Sequence, residues 1–400
     1  MLQIEEAVKQ LQKQVTQKEH TEQMPLLEAA GRILAEDAVA EKDQPPFPRS
    51  PLDGYALRGE ETAGASREHP AIFRVTGKVC AGEWFPGRVQ KGEAVRIMTG
   101  APVPEGADTV IRQEDTDYGE ETVQVFRASA AFENYCPQGE DYRTGTVLLK
   151  KGRRLDGAAT AILAGMGRDS VRVYGLPRVA VISTGDEVVP PGHPLERGKI
   201  YDSNRYYLCA RMQEKGLRPE RSMHCRDNAA ELAGQIREMC EEGMELIVTT
   251  GGVSVGEKDI LHETLELLGA RRLFWRIDVK PGAPVMAAVC QNTLLICLSG
   301  NPYGAAVNFE LLVRPVLEVL TGSRTWRLEK RQAVLQNDFR KKKGTRRFLR
   351  GREENGKVWV AAGNQASGAL SSLAESNCLV EITKEMAGAT KGETVWVYLL

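Results

Sequence analysis

Strand-like and helix-like segments alternate through residues 178–320, and this alternation restricts the fold more than any other feature of the 400-residue chain. Buried-type apolar runs, such as the one at residues 179–183, are each followed by a segment whose apolar residues have helical spacing. This order is typical of a doubly wound, mostly parallel sheet with helices on both faces. Ligands bind such sheets outside the carboxyl ends of the strands, so we predict the binding site at that edge.

Turn and cap residues place the individual elements of this module. We predict strands at residues 179–183, 245–250, 272–279 and 293–298. Helices are predicted from a cap at Asn204 to about Lys215, from Asp227 or Asn228 to Cys240, from Asp259 to 268, and from about Tyr303 to Leu320.

The sequence changes in character on both sides of this module. The proline-rich segment 45–51 cannot be helical and marks a boundary, and short β-type runs fill the chain from there to about residue 145. Residues 328–400 alternate apolar and polar side chains, as in a small β-barrel or sandwich. We therefore predict a multidomain α/β plus β protein: a central doubly wound, mostly parallel α/β module flanked by β-rich domains, with a small β-barrel at the C-terminal end.

Composition narrows the functional classes. The formal net charge of −1 gives no overall attraction to nucleic acid or to an anionic membrane, and no apolar run approaches the length of a membrane span. The first residues are amphipathic and acidic, unlike a signal peptide. We expect a cytoplasmic protein that binds neither nucleic acid nor membrane. The basic run Arg340–Lys343 is interpreted as a solvated hairpin tip, with nucleic-acid binding as the weaker alternative.

Cysteine and histidine are not arranged for chemistry. The eight cysteines are scattered without a Cys-x-x-Cys pair, which favours reduced, buried thiols over metal ligands. His262-Glu263 lacks a second histidine four residues on, which excludes a zincin. Carboxylates, hydroxyls, backbone amides and a few cations must therefore carry any reaction.

A glycine-rich turn, Thr249–Asp259, is the strongest single indication of a ligand. It lies between a predicted strand and a predicted helix, where backbone N–H groups and the helix N-terminus attract an anion. Glu257 stands where a P-loop requires lysine, and no Gly-x-Gly-x-x-Gly is present for a dinucleotide. Two interpretations remain for this segment: an anion-binding loop and an ordinary tight turn.

Loop carboxylates supply a second group of candidates. Five acidic residues lie beside a glycine, a basic residue or a cap position: Asp53, Asp141, Glu187, Asp227 and Asp259. Taken singly, each could be a turn or cap residue. Glu187 and Asp259 both follow strands of the same predicted sheet, and converging carboxylates raise one another's pKa unless a cation neutralises them. Mg²⁺, with oxygen ligands, suits that position beside a phosphate.

Two cations are placed to meet an anion. Arg276 lies within the predicted strand 272–279, and Lys280 follows the strand directly. Residues four apart on a strand face the same side, so we expect both side chains on one face. They could bind an oxyanion or be solvated charges at a strand edge. Ser299-Gly300-Asn301-Pro302 forms another sharp strand-to-helix turn at a carboxyl end.

Seven motifs, in order along the chain, resemble the molybdopterin molybdenumtransferase family, the molybdenum insertases of molybdenum cofactor synthesis, which are similar to the E domain of gephyrin. The motifs are Leu-Asp-Gly-Tyr-Ala (52–56), Arg-Ile-Met-Thr-Gly-Ala-Pro-Val-Pro (96–104), Ser-Thr-Gly-Asp-Glu (183–187), Asp-Ser-Asn (202–204), Thr-Thr-Gly-Gly-Val-Ser-Val-Gly-Glu-Lys-Asp (249–259), Val-Lys-Pro-Gly (279–282) and Gly-Asn-Pro (300–302).

The resemblance implies a reaction and an assembly. Molybdate would be inserted into the dithiolene of adenylylated molybdopterin, and AMP would be released with Mg²⁺ or a similar divalent ion. An elongated homodimer with each site at the subunit interface is implied, with transient contacts to the adenylyltransferase and to recipient molybdoenzymes. The implied domains are an N-terminal helix (1–26) packed on the α/β module, a linker and dimerisation domain (27–45 and 146–177), a β-rich domain (46–145), a molybdopterin-binding α/β domain (178–327) and a β-barrel (328–400).

The resemblance also implies the site residues. Matched functional positions are Asp53, Thr99, Asp141, Glu187, Asp227, Asp259, Arg276, Lys280, Pro302, Arg350 and Ser367. Within the same motifs, substrate contacts are expected from Ser183, Thr184, Gly185, Gly251, Gly252, Ser254 and Asn301, and metal contacts from Glu187 and Asp259.

The chain departs from the family pattern at two positions, because Ser299 replaces a common proline and Arg276 a common lysine. The competing hypotheses are a molybdopterin adenylyltransferase, which resembles residues 178–320 alone, and a gephyrin-like scaffold.

Overall fold

The computed structural model describes the chain except residues 18–19, 254–259, 341–343 and 362–364. The helices are α1 (Ile4–Gln12), α2 (Gly157–Gly165), α3 (Ser203–Gln213), α4 (Ala229–Glu241), α5 (Ile260–Leu268), α6 (Pro302–Asn308) and α7 (Arg314–Thr321), with a π-helical turn, Phe309–Val313, between α6 and α7.

The strands are β1 (Thr21–Pro25), β2 (Ala38–Val39), β3 (Gly54–Leu57), β4 (Ala71–Val79), β5 (Glu93–Ile97), β6 (Thr109–Arg112), β7 (Thr122–Val125), β8 (Val147–Leu149), β9 (Ser170–Tyr174), β10 (Val179–Thr184), β11 (Val188–Val189), β12 (Ile200–Tyr201), β13 (Arg221–Cys225), β14 (Leu246–Thr250), β15 (Arg271–Trp275), β16 (Met286–Cys290), β17 (Thr293–Leu298), β18 (Lys330–Leu335), β19 (Phe339–Arg340), β20 (Arg347–Glu354), β21 (Lys357–Val360), β22 (Cys378–Ile382), β23 (Gly388–Ala389) and β24 (Thr394–Leu399). The chain divides into two compact units: unit 1 (residues 1–24, 29–35 and 171–400) and unit 2 (residues 25–28 and 36–170).

Unit 1 is built around a six-stranded sheet in the order β13-β10-β14-β17-β16-β15. The first four strands in that order are parallel, and β16 and β15 continue the sheet antiparallel. The carboxyl ends of β13, β10, β14 and β17 therefore meet at one edge. The predicted fold class is confirmed: a mostly parallel α/β module with β-rich parts before and after it.

Helices cover both faces of this sheet because successive residues of a strand point to opposite sides. Val179 and Val181 of β10 pack in one apolar cluster with residues of α1, α3, α6 and α7. Ala180 and Ile182 pack in a second cluster with residues of α4 and α5. In α1, the buried residues Ile4, Ala7 and Leu11 form a single stripe at helical spacing, which packs the helix against the first cluster.

The boundaries of some elements differ from the sequence prediction. The strand predicted at 272–279 ends at Trp275, because Arg276 adopts a left-handed conformation with φ of 70°. The cap predicted at Asn204 is also wrong: the carboxylate of Asp202 accepts the hydrogen bond from the backbone N–H of Arg205, at 3.2 Å. Asn228, the second of the two predicted alternatives, caps α4. The predicted start of the next helix, Asp259, lies outside the described residues.

The C-terminal residues of unit 1 form a closed barrel in the order β18-β21-β20-β22-β24, which decides between the predicted barrel and sandwich. Alternate residues of its strands fill the interior. Backbone hydrogen bonds tie the barrel to the end of the α/β module: Lys280 N–H donates to the Arg346 carbonyl at 2.9 Å, and Phe348 N–H donates to the Lys280 carbonyl at 3.0 Å. This seam places β20 next to the segment that follows β15.

Unit 2 contains a five-stranded sheet in the order β6-β3-β5-β4-β7, together with the β2-β8 pair and α2. Its strands bury apolar side chains on both faces, with Ala56 in one cluster and Tyr55 and Leu57 in another. In the part of the chain that the structure describes, no helix has the length and apolar character needed to cross a membrane.

Candidate functional site

A cleft of about 520 Å³ lies at the carboxyl ends of the parallel strands in unit 1. The loops that follow β10, β13, β14 and β17 line it, which is the location that the topology predicts. Predicted site residues in its lining are Ser183, Thr184, Gly185, Glu187, Asp227, Gly251, Gly252, Asn301 and Pro302. Ser254 and Asp259, which were predicted in the same loop, lie outside the described residues.

The loops after β10 and β14 approach so closely that Gly251 cannot carry a side chain. Its φ is +102°, and a Cβ there would lie 2.5 Å from the carbonyl oxygen of Thr184. Gly300, in the turn after β17, packs against Gly251 in turn, since a Cβ on Gly300 would lie 3.3 Å from the Gly251 Cα. Three strand ends thus converge with little side-chain bulk, which leaves room for a ligand against the backbone.

Hydrogen bonds from α3 lock these loops together. The side-chain amide of Asn204 donates to Thr250 Oγ1 and to the Gly300 carbonyl, both at 2.8 Å. Thr250 Oγ1 in turn donates to the carbonyl oxygen of Ser299 at 3.1 Å. Asn204 is therefore a cross-link between two loops of the cleft.

Asp202 organises the side of the cleft next to β10. This carboxylate is 3% exposed and accepts 2.6 Å hydrogen bonds from Ser183 Oγ and from Arg205 Nε. Ser183 Oγ also lies 3.2 Å from Nδ1 of His224 on β13. The Ser183 hydroxyl is thereby held between two strand ends and the start of α3, which fixes its orientation in the cleft.

The open side of the cleft carries carboxylates. Glu187 is exposed, and Asp227 is partly buried; both line the cleft. The Glu187 carboxylate lies over Gly185, where a Cβ would come within 2.8 Å of Oε2. Across the described residues, no set of three or more His, Cys, Asp or Glu side chains is arranged to hold a metal ion. Among the described residues, at most two such side chains could therefore bind one divalent ion here.

A second cavity, of about 460 Å³, adjoins the cleft and shares Pro284, Ser299 and Asn301 with it. Its lining contains Arg276, Lys280, Arg347 and Ser367 and, among the described residues, no carboxylate. Arg276 and Lys280 therefore share a cavity, although not through strand alternation as the sequence indicated. The left-handed backbone at Arg276 and the seam at Lys280 bring them there. This concentration of positive charge favours an anion.

Arg350 lies beneath this cavity and is absent from the described lining of both cavities. Its guanidinium is fully buried, donates to the carbonyl oxygens of Ala366 (3.2 Å) and Ala369, and lies 3.9 Å from the centre of the Tyr303 ring. Burial lowers the pKa of Arg350. The backbone N–H of Tyr303 donates to the Ser367 carbonyl at 2.8 Å. Arg350 and Tyr303 thus support the loop that carries Ser367.

The three remaining predicted residues, Asp53, Thr99 and Asp141, belong to unit 2. The hydroxyl and the backbone N–H of Thr99 both donate to Asp53 Oδ1, at 2.7 and 2.8 Å. These bonds hold the pKa of Asp53 below its ordinary value. Thr99 lines a unit 2 cavity of about 520 Å³ that also contains Cys136. Asp141 is exposed, and its backbone N–H donates to the Gln44 carbonyl at 2.9 Å.

Sequence reasoning missed three charged residues at these sites. Asp202 could have been found, because an aspartate one residue before a helix is a common cap. Asp186 could also have been found, since it adjoins Glu187 in the same motif. Arg347 gave no signal, because its place in the second cavity depends on the pairing of residue 280 with the barrel.

Comparison with known proteins covers the whole chain. Three family models match: "MoeA N-terminal region (domain I and II)" over residues 2–167, "Probable molybdopterin binding domain" over residues 180–319, and "MoeA C-terminal region (domain IV)" over residues 332–400.

Full-length relatives agree with these matches. A molybdopterin molybdenumtransferase of Bacillus subtilis is 37% identical over 387 residues, which is 95% of this chain and 90% of the relative. One from Haemophilus influenzae is 34% identical over 411 residues, which is 99% of this chain and 98% of the relative.

Among solved structures, a molybdopterin biosynthesis moeA protein from Pyrococcus horikoshii has a TM-score of 0.87 at 33% identity and covers 100% of this chain and 99% of its own. A second structure from that organism has a TM-score of 0.82 at 32% identity, with 100% of both chains covered. The identity, the coverage and the three matched models leave one assignment: the chain belongs to the molybdopterin molybdenumtransferase family, transferases of molybdenum cofactor biosynthesis.

Proposed function

We propose that this protein transfers molybdenum from molybdate to the dithiolene of adenylylated molybdopterin, with release of AMP, to give the molybdenum cofactor. One observation carries the proposal: the carboxylate- and glycine-lined cleft meets the cation-lined cavity at Ser299 and Asn301. The reaction needs two neighbouring subsites of this kind, because a nucleotide-linked pterin and a small oxyanion must be bound side by side.

The cleft is proposed to bind the pterin nucleotide. Strand-end loops with glycines at Gly185, Gly251 and Gly252 allow backbone N–H groups to approach phosphate oxygens closely. The Ser183 hydroxyl, oriented by Asp202, adds a polar contact of fixed direction. The carboxylates Glu187 and Asp227 lie at the open side, where phosphates would need a counter-ion.

Mg²⁺ is proposed as the divalent ion, with Glu187 as a ligand and with Asp259, outside the described residues, as a second. Oxygen donors at this position fit the ion, since Mg²⁺ keeps several waters and takes one or two carboxylates together with substrate phosphates. When bound, the ion neutralises phosphate charge as the bond to AMP breaks. The chain's own groups then hold the nucleotide in place and orient the phosphates.

The cation-lined cavity is proposed to bind molybdate. Arg276 and Lys280 supply positive charge, and Ser367 and Asn301 supply polar groups in the same lining. Charge-assisted hydrogen bonds to an anion are roughly twice as strong as neutral ones, which suits capture of a dilute oxyanion. Asn301 also lines the cleft, so the oxyanion would lie beside the pterin nucleotide.

We also propose that the protein works as a homodimer in the cytoplasm, receives its substrate from a molybdopterin adenylyltransferase and passes its product to recipient molybdoenzymes. The membership of the family supports this proposal. Sedimentation at micromolar concentration should show a dimer, and a monomer would contradict it.

The reaction can be tested with purified protein, adenylylated molybdopterin, molybdate and Mg²⁺. AMP release and reconstitution of a recipient apo-molybdoenzyme should both require molybdate and should both stop when the divalent ion is chelated. Intact adenylylated substrate after prolonged incubation would overturn the proposal. Formation of that substrate from molybdopterin and ATP would instead indicate an adenylyltransferase.

A further inference from the structure

We propose that Arg347 is a further oxyanion-binding residue and that it makes the second cavity selective for doubly charged tetrahedral anions. This inference rests on the proposed function, which assigns molybdate to that cavity. Arg347 is the first residue of β20, in the barrel, whereas Arg276 and Lys280 come from the segment after β15. The cavity therefore receives cations from two separate parts of unit 1.

The seam between barrel and α/β module fixes Arg347 opposite Lys280. The two residues are partners in a parallel β-bridge, and the backbone of Lys280 bonds to Arg346 on one side of Arg347 and to Phe348 on the other. Two backbone hydrogen bonds thus set the position of the Arg347 Cα relative to that of Lys280. Arg347 lines the same cavity.

The neighbouring arginines each donate a side-chain hydrogen bond to an acceptor among the described residues, and Arg347 donates none there. Arg346 Nε donates to Glu381 at 2.8 Å, and Arg352 Nε donates to Glu354 at 2.7 Å. Arg350 donates to loop carbonyls through Nη1 and Nη2, although its Nε is buried without an acceptor among the described residues. Within the described part of the chain, Arg347 Nε is buried and finds no acceptor. A buried donor without an acceptor destabilises the protein unless a ligand supplies one.

Arg276, which also lines the cavity, shows the same feature. Its Nε is also buried without an acceptor among the described residues, and its φ of 70° is an uncommon conformation for a residue with a side chain. Two guanidinium groups with unmatched donors therefore line one cavity. Guanidinium groups form forked hydrogen bonds that match an oxyanion.

The charge balance of the cavity points to a dianion. Arg276, Lys280 and Arg347 bring three positive charges, and the described lining contains no carboxylate to offset them. Like charges that line one cavity repel one another. A tetrahedral dianion such as molybdate offsets two of the three charges, whereas a monoanion offsets one. Removing Arg347 should therefore reduce both the affinity and the preference for a dianion.

The test uses the full-length protein with Arg347→Gln, Arg347→Lys and the control Arg352→Gln, which removes an exposed arginine from the same strand. Molybdate binding is measured by calorimetry, and AMP release is measured as a function of molybdate at saturating adenylylated molybdopterin. Arg347→Gln should weaken molybdate binding about tenfold or more, because a hydrogen bond to a charged group is lost. Arg347→Lys should recover part of this loss, and Arg352→Gln should stay within about twofold of wild type.

Two further readouts separate binding from a general structural effect. At saturating molybdate, the rate of Arg347→Gln should return to within about threefold of wild type, since the residue is proposed to bind substrate and not to assist the later step. In wild type, the dianion sulfate should compete with molybdate better than perchlorate, a tetrahedral monoanion. This preference for sulfate over perchlorate should be smaller in Arg347→Gln. An unchanged preference, or an unchanged molybdate dependence, would overturn the inference.

Lys280→Ala distinguishes failure of this inference from failure of the proposed function. If Lys280→Ala weakens molybdate binding and Arg347→Gln does not, only the role of Arg347 is wrong. If neither change affects molybdate, the cavity is not the molybdate subsite and the proposed placement fails as a whole. Thermal melting of each variant shows whether the fold is kept, and Arg347→Lys carries the test if Arg347→Gln is unstable.

Discussion

Asp186 and Asp227 fasten together two loops of the cleft, because the backbone N–H of each donates to the carboxylate of the other, at 3.3 and 3.2 Å. These residues follow β10 and β13, and Glu187 comes directly after Asp186. The contact therefore holds together the two loops that carry the cleft carboxylates Glu187 and Asp227.

We expect Glu187→Ala and Asp227→Ala each to reduce the rate of AMP release by about a hundredfold or more while the fold is kept. Loss of a group that positions a divalent ion removes charge stabilisation in the transition state. AMP release at saturating substrates is the measurement, and Glu231→Ala, an exposed change on α4, is the control. Rates within about threefold of wild type for both variants would remove these carboxylates from the mechanism.

The cations of the second cavity should control the dependence on molybdate. Lys280→Ala should raise the molybdate concentration for half-maximal insertion and change binding of the adenylylated pterin only modestly. Arg276→Lys keeps the charge and should be tolerated far better than Arg276→Ala. Titration of molybdate against each variant tests both statements. Weaker pterin-nucleotide binding with unchanged molybdate dependence would assign these cations to the organic ligand.

The sequence was sufficient for β10, β14 and β17 of the parallel module, because alternation and spacing indicate their topology, whereas β13 was not among the predicted strands. Strands and helices in alternation indicate parallel strands, and parallel strands bring the loops after β10, β14 and β17 to one edge. The predicted residues in those loops follow from that single inference. Those that the structure describes line the cleft.

The predicted strand 272–279 was too long, and the apolar pattern behind that prediction has a physical cause. Residues 274–279 keep an apolar alternation beyond Trp275, because Ile277 and Val279 are buried in the core even though the strand has ended. Burial without strand pairing gives the same pattern as a strand. The depth of Arg350 was also not predicted: the residue is fully buried and bonded to the loop that carries Ser367, and its contact with substrate stays a prediction. A single sequence does not reveal which arginine of a strand points inward.

Asp202 should matter for stability as well as for the cleft. Asp202→Ala removes a helix cap and leaves the Arg205 guanidinium and the Ser183 hydroxyl without their buried partner. We expect a loss of about 3 kcal/mol in the free energy of unfolding, since breaking a buried ion pair is costly. Asn228→Ala removes only the exposed cap of α4 and should cost about 1 kcal/mol. Equal losses for the two variants in denaturant unfolding would show that Asp202 acts as a cap alone.

The Asp53–Thr99 contact makes a prediction about pH. Hydrogen bonds from Thr99 lower the pKa of Asp53. Their contribution to stability is therefore fully present at pH values above the ordinary aspartate pKa, and it is lost as the pH falls through the lowered pKa. Thr99→Val removes the hydroxyl and keeps the backbone N–H, so the pKa of Asp53 should rise part of the way to its ordinary value. Titration of ¹³C-aspartate-labelled protein by NMR, with Asp53→Asn to identify the signal, measures this shift. An unchanged pKa would mean that the backbone N–H alone sets it.

The close approach at Gly251 gives the most specific structural prediction. A Cβ there would lie 2.5 Å from the Thr184 carbonyl oxygen, and both the clash and the φ of +102° disfavour any other residue. Gly269 also has a positive φ, of +62°, but has open space around its Cβ position. Gly269→Ala should therefore cost about 1–2 kcal/mol through backbone strain alone. Gly251→Ala should lower the free energy of unfolding further, because it also forces apart the loops after β10 and β14. Of the two variants, only Gly251→Ala should weaken binding of the adenylylated pterin. Parallel measurement of unfolding and of pterin-nucleotide binding tests this, and equal effects of the two variants on binding would mean that the Gly251 loop does not contact the nucleotide.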